Sequence, residues 1–223
     1  MKWKAAFAAL ALGAAALTAV PSSAEVAFNA PVATRQAQET GLQTAIFAGG
    51  CFWGIEGIFS HTRGVRSAVS GYHGGTEAQA RYRLVASGIT DHAEAVRVVY
   101  DPAVVRYDQL LQILFSVGAD PTLLNRQGPD RGPQYRTAIV PLNAEQRAVA
   151  QAYIRQMGRS GVWSDPIVVA IEEPRRFYEA EEYHQDFMHR NPDNPYIRRW
   201  DAPKLEALRT MFPQLYRRAF LTG

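Results

Sequence analysis

The stretch Gln43–Ser60, QTAIFAGGCFWGIEGIFS, decides the fold of the chain and contains its strongest chemical signal. The run from Gln43 to Phe47 is typical of a short buried strand, and Gly49-Gly50 end it. From Cys51 to Ser60, apolar side chains recur at helical spacing. A strand, a glycine break and a helix are therefore predicted, with a cysteine at the start of the helix.

The rest of the chain alternates between strand-like and helix-like segments. Strands are predicted over residues 65–72, 94–100, 136–141 and 167–171, and helices over 106–117, after Asn143, over 176–189 and over 202–220 with a break near Pro213. Asn143 followed by Gln146 is typical of a capping box. Residues 125–134 hold several turn formers and are predicted to be a surface loop. This order predicts an α/β or α+β domain with a mixed sheet.

Composition excludes several classes of protein. With 47% hydrophobic and 20% charged residues, the chain is neither a disordered polyelectrolyte nor a collagen-like fibre. Its single cysteine excludes an intrachain disulfide and a Cys-rich zinc site. The formal charge is +3, without a Lys/Arg-rich run or an RNA-binding signature, so nucleic acid is not an expected partner.

Residues 1–24 are typical of a secretory signal peptide. A basic start at Lys2 and Lys4 precedes an uncharged Ala/Leu-rich run, and Ser22 and Ala24 fit a cleavage site. A membrane anchor is the alternative, but the run is short for a spanning helix, which needs ~20 apolar residues. We predict cleavage near Ala24 and, in a Gram-negative host, a periplasmic protein.

Two segments follow the predicted cleavage site. Residues 25–41 lack strong periodicity and are predicted to be a flexible leader. Residues 42–223 contain no linker or internal repeat, so they are predicted to form one domain with a helical C-terminal extension.

Cys51 is the first candidate for chemistry. A cysteine in the first turn of a helix lies near unpaired backbone N–H groups and the positive end of the helix dipole, and both favour the thiolate. Gly49 and Gly50 allow a ligand to approach the backbone closely. Phe52 and Trp53 add an apolar surface suited to a small apolar group. A buried structural thiol is the alternative, but the glycines and aromatic rings favour a nucleophile.

Glu94 is the second candidate. It shares strand parity with Val96 and Val98, so its carboxyl is predicted to point to the apolar side of the strand. Burial would raise the pKa of this carboxyl and keep it protonated as a proton donor. A surface position at a frayed strand end is the alternative, and the residue by itself does not decide between them.

A series of short motifs resembles the methionine sulfoxide reductase type A family. In chain order the motifs are Gly50-Cys51-Phe52-Trp53-Gly54, Gly71-Tyr72-x-Gly74-Gly75, Tyr82-x-x-Val85, His92-Ala93-Glu94, Tyr100-Asp101-Pro102, Asp120-Pro121-Thr122, Asn125-Arg126-Gln127-Gly128, Asp130, Gln134-Tyr135-Arg136 and Glu182-Tyr183-His184-Gln185. The resemblance covers residues 43 to 190 and keeps order and spacing throughout.

The resemblance implies a fold, an activity and a site. The fold is a ferredoxin-like, two-layer α/β (α+β) sandwich, a mixed β-sheet with flanking helices. The activity is the thiol-dependent reduction of the S epimer of methionine sulfoxide, free or in oxidised proteins that are thereby repaired, without cofactor or metal. The implied site residues are Cys51 as nucleophile, Glu94 as acid, Tyr82 and Tyr135 as hydroxyl donors to the sulfoxide oxygen, Phe52 and Trp53 as the pocket for the substrate methyl, Asp130 beside them, and His184 as support.

The chain departs from the family pattern in its cysteine content. Many family members use a second, C-terminal cysteine to resolve the sulfenic acid, and this sequence has none. We therefore expect an outside thiol to reduce the Cys51 sulfenic acid, from a thioredoxin-like or glutaredoxin-like protein or a small thiol. A monomer is expected. Ala119 replaces a usual His, and Asp91 replaces a usual Gly and is expected to bring a second carboxylate near Glu94.

Two other functions fit parts of the sequence. A cysteine hydrolase would pair Cys51 with His92 or His184, although a papain-like signature has Trp directly after the nucleophile and Phe52 intervenes here. A non-catalytic module would bind methionine-rich segments through Phe52 and Trp53.

Overall fold

The computed structural model describes residues 27–222, so the predicted signal peptide lies outside the described residues. The strands are β1 (Gln43–Gly49), β2 (Val65–His73), β3 (Ala93–Tyr100), β4 (Arg126–Gln127), β5 (Asp130–Arg131), β6 (Thr137–Val140), β7 (Ala170–Ile171) and β8 (Phe177–Glu179). The α-helices are α1 (Phe52–Ser60), α2 (Tyr82–Val85), α3 (Tyr107–Ile113), α4 (Ala144–Met157), α5 (Phe187–Arg190) and α6 (Ala202–Met211). Within residues 27–222, no helix is both long and apolar enough to cross a membrane.

A mixed sheet forms the centre of the fold. Its six strands lie in the order β7-β6-β1-β3-β2-β8. Strand β1 pairs antiparallel with β3 and β6, and β2 pairs antiparallel with β3 and β8. Strand β7 joins β6 in parallel, whereas β4 and β5 form a separate hairpin. The predicted mixed sheet with flanking helices is confirmed.

The two faces of the sheet bury different side chains, because successive residues of a strand point to opposite faces. On one face, the Phe47 ring stacks on Phe59 of α1 and Tyr107 of α3, with ring centroids 5.2 and 5.8 Å apart. On the other face, mostly small side chains such as Ala48 and Ala138 form a second cluster, with Phe177 packed against it. The main core therefore lies between the sheet and the helices.

The helix predicted over 176–189 is wrong. This region holds β8, a 3-10 turn at Glu182–His184 and the short α5. Strand β8 pairs with the end of β2, where Gly71 lies opposite Glu179. Any side chain at Gly71 would collide with the Phe177 ring. Pairing with a distant strand thus overrides the local helical pattern.

Two other predicted elements are shorter than expected. The strand predicted over 167–171 reduces to β7, at Ala170–Ile171. The helix predicted over 202–220 ends at Met211, two positions before Pro213, as the steric restriction before a proline favours.

The flexible leader predicted over 25–41 is wrong for residues 27–41. These residues have no regular secondary structure, yet Ala30, Ala33 and Ala37 are buried. The Ala37 N–H donates to Asp108 of α3 at 2.9 Å, and the Tyr153 hydroxyl of α4 donates to the Pro31 carbonyl at 2.8 Å. Small alanines filling a helical surface leave no hydrophobic period, so the sequence pattern does not reveal this packing.

We expect that a chain starting at residue 42 has a free energy of unfolding lower, by about 2 kcal/mol or more, than a chain starting at residue 25. The shorter chain loses buried hydrogen bonds and buried alanine surface. Urea denaturation of both chains measures the difference. Arg35→Ala is the control, since it removes a surface ion pair with Glu145 and should cost under about 0.5 kcal/mol. Equal urea midpoints for the two chains would contradict this expectation.

Candidate active site

The start of helix α1 is set by a close contact at Gly50. Cys51 is the N-cap residue of α1. Gly50 has φ +88°, and a Cβ there would lie 2.5 Å from the Gln127 side chain, so glycine is required at this position. The buried Gln127 amide bonds to both the N–H and the carbonyl of Asp120, at 3.0 and 2.8 Å, and donates to Thr137 Oγ1 at 2.8 Å. These hydrogen bonds hold strand β4 to Asp120 and to strand β6, next to the N-terminus of α1.

Glu94 on β3 reaches the first turn of α1. Its side chain is 2% exposed, and its Oε2 accepts the Phe52 N–H at 3.0 Å. Burial raises the pKa of Glu94 to about 8, against the hydrogen bond from Phe52, and the charge of Asp130 raises it further. The carboxyl is therefore mostly protonated at pH 7. Because Oε2 accepts the Phe52 N–H, the proton belongs on Oε1.

A cavity of about 170 Å³ lies beside Cys51 and is formed within one chain. The residues that line it are Cys51, Phe52, Trp53, Tyr82, Glu94, Asp130, Tyr135 and Tyr196. The structure thus brings together all seven catalytic and substrate-binding candidates from the sequence, and adds Tyr196.

Tyr82 and Tyr135 present their side chains to this cavity from two short turns. Tyr82 begins α2, and its N–H donates to Glu181 at 2.9 Å. Tyr135 ends the 3-10 turn Pro133–Tyr135. Burial raises the pKa of Tyr82 to about 12 and raises that of Tyr135 further, and the charge of Glu94 adds to both shifts. Both phenols are therefore protonated and can donate hydrogen bonds.

Tyr196 is the site residue that the sequence reasoning missed. Its hydroxyl hydrogen-bonds to Asp130 Oδ2, and its ring meets the Trp53 ring edge-on at a centroid distance of 5.9 Å. It lies outside the motifs that carry the resemblance. Its one local signal is an aromatic residue directly after Pro195, which is weak.

Trp53 is held by two partners behind the cavity. Its Nε1–H donates to His184 Nδ1 at 3.1 Å, and its ring stacks on Phe187 with centroids 3.8 Å apart. His184 is buried and also packs on the rings of Phe52 and Tyr82, at 5.0 and 4.3 Å. Burial lowers the pKa of His184, so a neutral ring accepts the hydrogen bond from the indole N–H. His184 orients the aromatic wall and does not line the cavity.

The predicted resting thiolate at Cys51 is wrong. Although the residue keeps some exposed surface, burial of its sulfur raises the pKa of Cys51 well above its usual range. The charges of Glu94, Asp201 and Asp130 raise it further, and the hydrogen bond from the Trp53 N–H only partly opposes them. Desolvation and nearby carboxylates thus outweigh the effect of the helix N-terminus, and the resting group is a thiol.

The structure gives no support to a cysteine–histidine dyad. His92 Nδ1 accepts the Gly75 N–H at 3.1 Å, and its Nε2 lies 2.9 Å from the Thr76 carbonyl oxygen. The Nδ1 atom of His184 accepts the hydrogen bond from the Trp53 Nε1–H and does not pair with Cys51. Within residues 27–222, no cluster of three or more His, Cys, Asp or Glu could hold a metal ion. The expected effect of Asp91 on Glu94 is also wrong, since Asp130 is the carboxylate that raises the Glu94 pKa.

The cavity therefore combines a soft nucleophile with several hydrogen-bond donors. A thiol, a neutral carboxyl and the protonated phenols of Tyr82 and Tyr135 line it, together with the rings of Phe52, Trp53 and Tyr196. Donors that converge on one point stabilise negative charge that develops on an oxygen there.

Comparisons with known proteins match the chain over most of its length. The family model described as peptide methionine sulfoxide reductase matches residues 43–215. The peptide methionine sulfoxide reductase MsrA 2 of Mesorhizobium japonicum is 52% identical over 176 residues, covering 79% of this chain and 90% of the relative. The protein of the same name from Synechocystis sp. is 52% identical over 172 residues, covering 77% and 80%.

Two solved structures share the fold. Mxr1 from Saccharomyces cerevisiae, in its reduced form, matches with a TM-score of 0.63 at 32% identity, covering 72% of this chain and 92% of that chain. Methionine sulfoxide reductase A of Corynebacterium diphtheriae matches with a TM-score of 0.57 at 31% identity, covering 77% and 90%.

We expect iodoacetamide to alkylate Cys51 slowly at pH 7.5, because the thiol is protonated, and faster above pH 9. Glu94→Gln should increase the rate at pH 9, since it removes a carboxylate that raises the pKa of Cys51. Mass spectrometry of quenched samples measures the rate, and Asp108→Asn, a buried acid on α3, is the control. An alkylation midpoint below about pH 8.5, the ordinary cysteine value, would contradict this.

Proposed function

The chain belongs to the peptide methionine sulfoxide reductase family, and on that premise we propose how its cavity reduces a sulfoxide. The protein is an oxidoreductase that converts methionine sulfoxide to methionine, with a thiol as the source of electrons. One observation carries the mechanism: a thiol, a neutral carboxyl and two phenols face one cavity of about 170 Å³. The roles that follow are assigned to side chains that line that cavity.

Activation of the sulfoxide oxygen is the first role. A sulfoxide sulfur is a poor electrophile until its oxygen is hydrogen-bonded or protonated. The hydroxyls of Tyr82 and Tyr135 donate to this oxygen, and neutral Glu94 supplies the proton. The raised pKa values of these groups support the assignment, because each group keeps its proton at pH 7.

Attack by Cys51 follows. The thiol sulfur bonds to the sulfoxide sulfur as Glu94 protonates the oxygen, and the resulting Glu94 carboxylate takes the thiol proton. Because Cys51 rests as a thiol, this exchange of protons takes the place of ionisation of the thiol before the attack. The hydroxyl then moves to the Cys51 sulfur as the sulfur–sulfur bond breaks. Methionine leaves and Cys51 becomes a sulfenic acid, so the substrate sulfur is reduced and the cysteine sulfur is oxidised.

Recognition of the substrate methyl is assigned to the aromatic wall. Phe52, Trp53 and Tyr196 line the cavity, and the Tyr196 hydroxyl donates a hydrogen bond to Asp130. Because both hydrogen-bond donors and apolar rings line it, the cavity can distinguish the oxygen from the methyl group on a chiral sulfur. Such a cavity favours one epimer over the other, and the family resemblance indicates that this is the S epimer.

Return of Cys51 to a thiol requires an outside donor. The sequence holds one cysteine. A donor thiol forms a mixed disulfide with Cys51 and releases water, and a second thiol of the donor frees Cys51 as the donor becomes a disulfide. A thioredoxin-like or glutaredoxin-like protein, or a small thiol, satisfies this chemistry.

We also propose a secreted, monomeric enzyme. Residues 1–24 have the order of regions of a signal peptide, which supports export and, in a Gram-negative host, a periplasmic location. The side chains with assigned roles all line one cavity of a single chain, so a monomer is sufficient for the proposed reaction.

Without reductant, we expect each chain to release one methionine from dabsyl-methionine sulfoxide and to lose its one thiol. Cys51→Ser should release none, because the attacking sulfur is absent. Chromatography of the dabsyl product and thiol titration measure the two quantities, and dithiothreitol should restore turnover. A burst of two methionines per chain would contradict a single oxidisable sulfur.

The rate of that single turnover should fall above about pH 8. Glu94 acts in its protonated form and its pKa is raised to about 8, so each further pH unit should lower the rate about tenfold. Glu94→Gln should lower the rate at pH 7 about 100-fold, as loss of a general acid does. Rapid-quench measurements without reductant contain no donor thiol, so the ionisation of such a thiol cannot affect the measured rate. A wild-type rate that rises through pH 9 would contradict the role of Glu94.

A further inference from the structure

Glu56 is a buried acid that the proposed reaction does not use. It lies on α1, one turn after Phe52, and its side chain is 1% exposed. Its Oε2 accepts the Asp186 N–H at 3.1 Å. Burial raises the pKa of Glu56 to about 8, so it is mostly neutral at pH 7. An acid placed here connects helix α1 to the segment between β8 and α5.

That segment bends sharply at Asp186. Asp186 has φ +53° and ψ 25°, a left-handed conformation that glycine adopts readily and aspartate only occasionally. Such a conformation persists only when the surroundings hold it in place. The hydrogen bond from the Asp186 N–H to Glu56 is one such restraint.

Both sides of this bend contact Trp53. His184 precedes the bend and accepts the Trp53 Nε1–H at 3.1 Å, and Phe187 follows it and stacks on the indole at 3.8 Å. The bend therefore sets the relative position of the two groups that hold this part of the aromatic wall.

A second restraint holds the bend to strand β2. The Gln185 side chain accepts the Ser70 N–H and donates to the Ser70 carbonyl, both at 3.0 Å. It also donates to the Ala180 carbonyl at 2.9 Å. Gln185 thus fixes the bend to the sheet, and Glu56 fixes it to the helix that begins at Cys51.

Close packing brings the bend within reach of Glu56. At Gly57, the next residue on α1, a Cβ would collide with the Met188 sulfur of α5. The absent side chain lets α5 lie directly against α1. Because the two helices are closely packed, a small displacement of the bend would also displace Phe187 relative to Trp53.

We propose that Glu56 is a positioning residue of the sulfoxide site, which holds the Asp186 N–H and so fixes His184 and Phe187 against Trp53. The inference rests on the proposed function, because it assigns to Trp53 the wall that receives the substrate methyl. Loss of the restraint weakens binding of the sulfoxide more than it weakens the chemistry of Cys51 and Glu94.

The test compares Glu56→Leu with Glu56→Gln. Leucine fills the space but cannot accept the Asp186 N–H, whereas glutamine retains an acceptor oxygen. With N-acetyl-methionine sulfoxide and dithiothreitol at pH 7, we expect Leu to raise KM about tenfold and to change kcat less than about threefold. Glutamine should keep KM within about twofold of the wild-type value. A residue that acts on folding alone would reduce the active fraction without this split between KM and kcat.

Asp108→Leu is the matched control. Asp108 is also a buried acid that accepts a backbone N–H, from Ala37 at 2.9 Å, but it lies on α3 away from the cavity. Its replacement should lower stability and leave KM unchanged. If Glu56→Leu does not fold, Glu56→Asp moves the acceptor back by one methylene and should raise KM in the same way.

Several outcomes separate the two proposals. An unchanged KM in folded Glu56→Leu or Glu56→Asp, an equal rise in Asp108→Leu, or a KM in Glu56→Gln as high as in Glu56→Leu would overturn the role of Glu56. Wild-type turnover that is lost in Cys51→Ser would still support the proposed function. Turnover that survives Cys51→Ser would overturn the proposed function itself.

Discussion

The hydrogen bond from the Phe52 N–H to Glu94 Oε2 is the interaction on which the site depends. The first N–H groups of a helix have no partner inside the helix, and a buried carboxyl on the adjacent strand satisfies one of them. The bond brings the acid to the residue next to Cys51, in surroundings dry enough to raise the pKa values of both groups. The acid and the nucleophile therefore rest in their protonated forms, and a neutral substrate meets a site in which neither carries a charge.

The glycines around Cys51 have a packing explanation that complements this bond. Gly50 leaves space for Gln127, which pins the neighbouring loop to the end of the sheet. A Cβ at Gly54 would collide with the Asp201 carboxylate, which raises the pKa of Cys51. Glycine at positions 50 and 54 thus leaves space for Gln127 and Asp201, two residues remote in sequence, beside the segment that contains Cys51. A larger residue at position 50 would displace Gln127, and one at position 54 would displace the Asp201 carboxylate that acts on Cys51.

Local patterns predict the parts of the structure that depend on near neighbours. The strand and helix around Cys51 follow their patterns, Glu94 is buried as its parity indicates, and Asn143 caps α4 by accepting the Gln146 N–H at 2.8 Å. Patterns fail where distant contacts decide, as in the pairing of β8 with β2. The prediction for the Cys51 pKa fails for a similar reason, because burial in the folded chain raises this pKa most, and residues 94, 130 and 201, remote in sequence, raise it further. The cavity positions of Tyr82, Tyr135 and Asp130 came from the family resemblance, since no local spacing joins them.

A protonated resting thiol also bears on how a single cysteine is used. The thiolate is the form that oxidants attack, so a raised pKa slows unproductive oxidation of Cys51. In the proposed reaction, the sulfoxide becomes reactive only when Glu94 and the phenols polarise its oxygen, and the carboxylate that results accepts the thiol proton. The proton needed by the substrate and the proton lost by the nucleophile are thus exchanged through one group. The burial that keeps Glu94 and Cys51 protonated therefore also makes the site selective for substrates whose oxygen Glu94 can protonate.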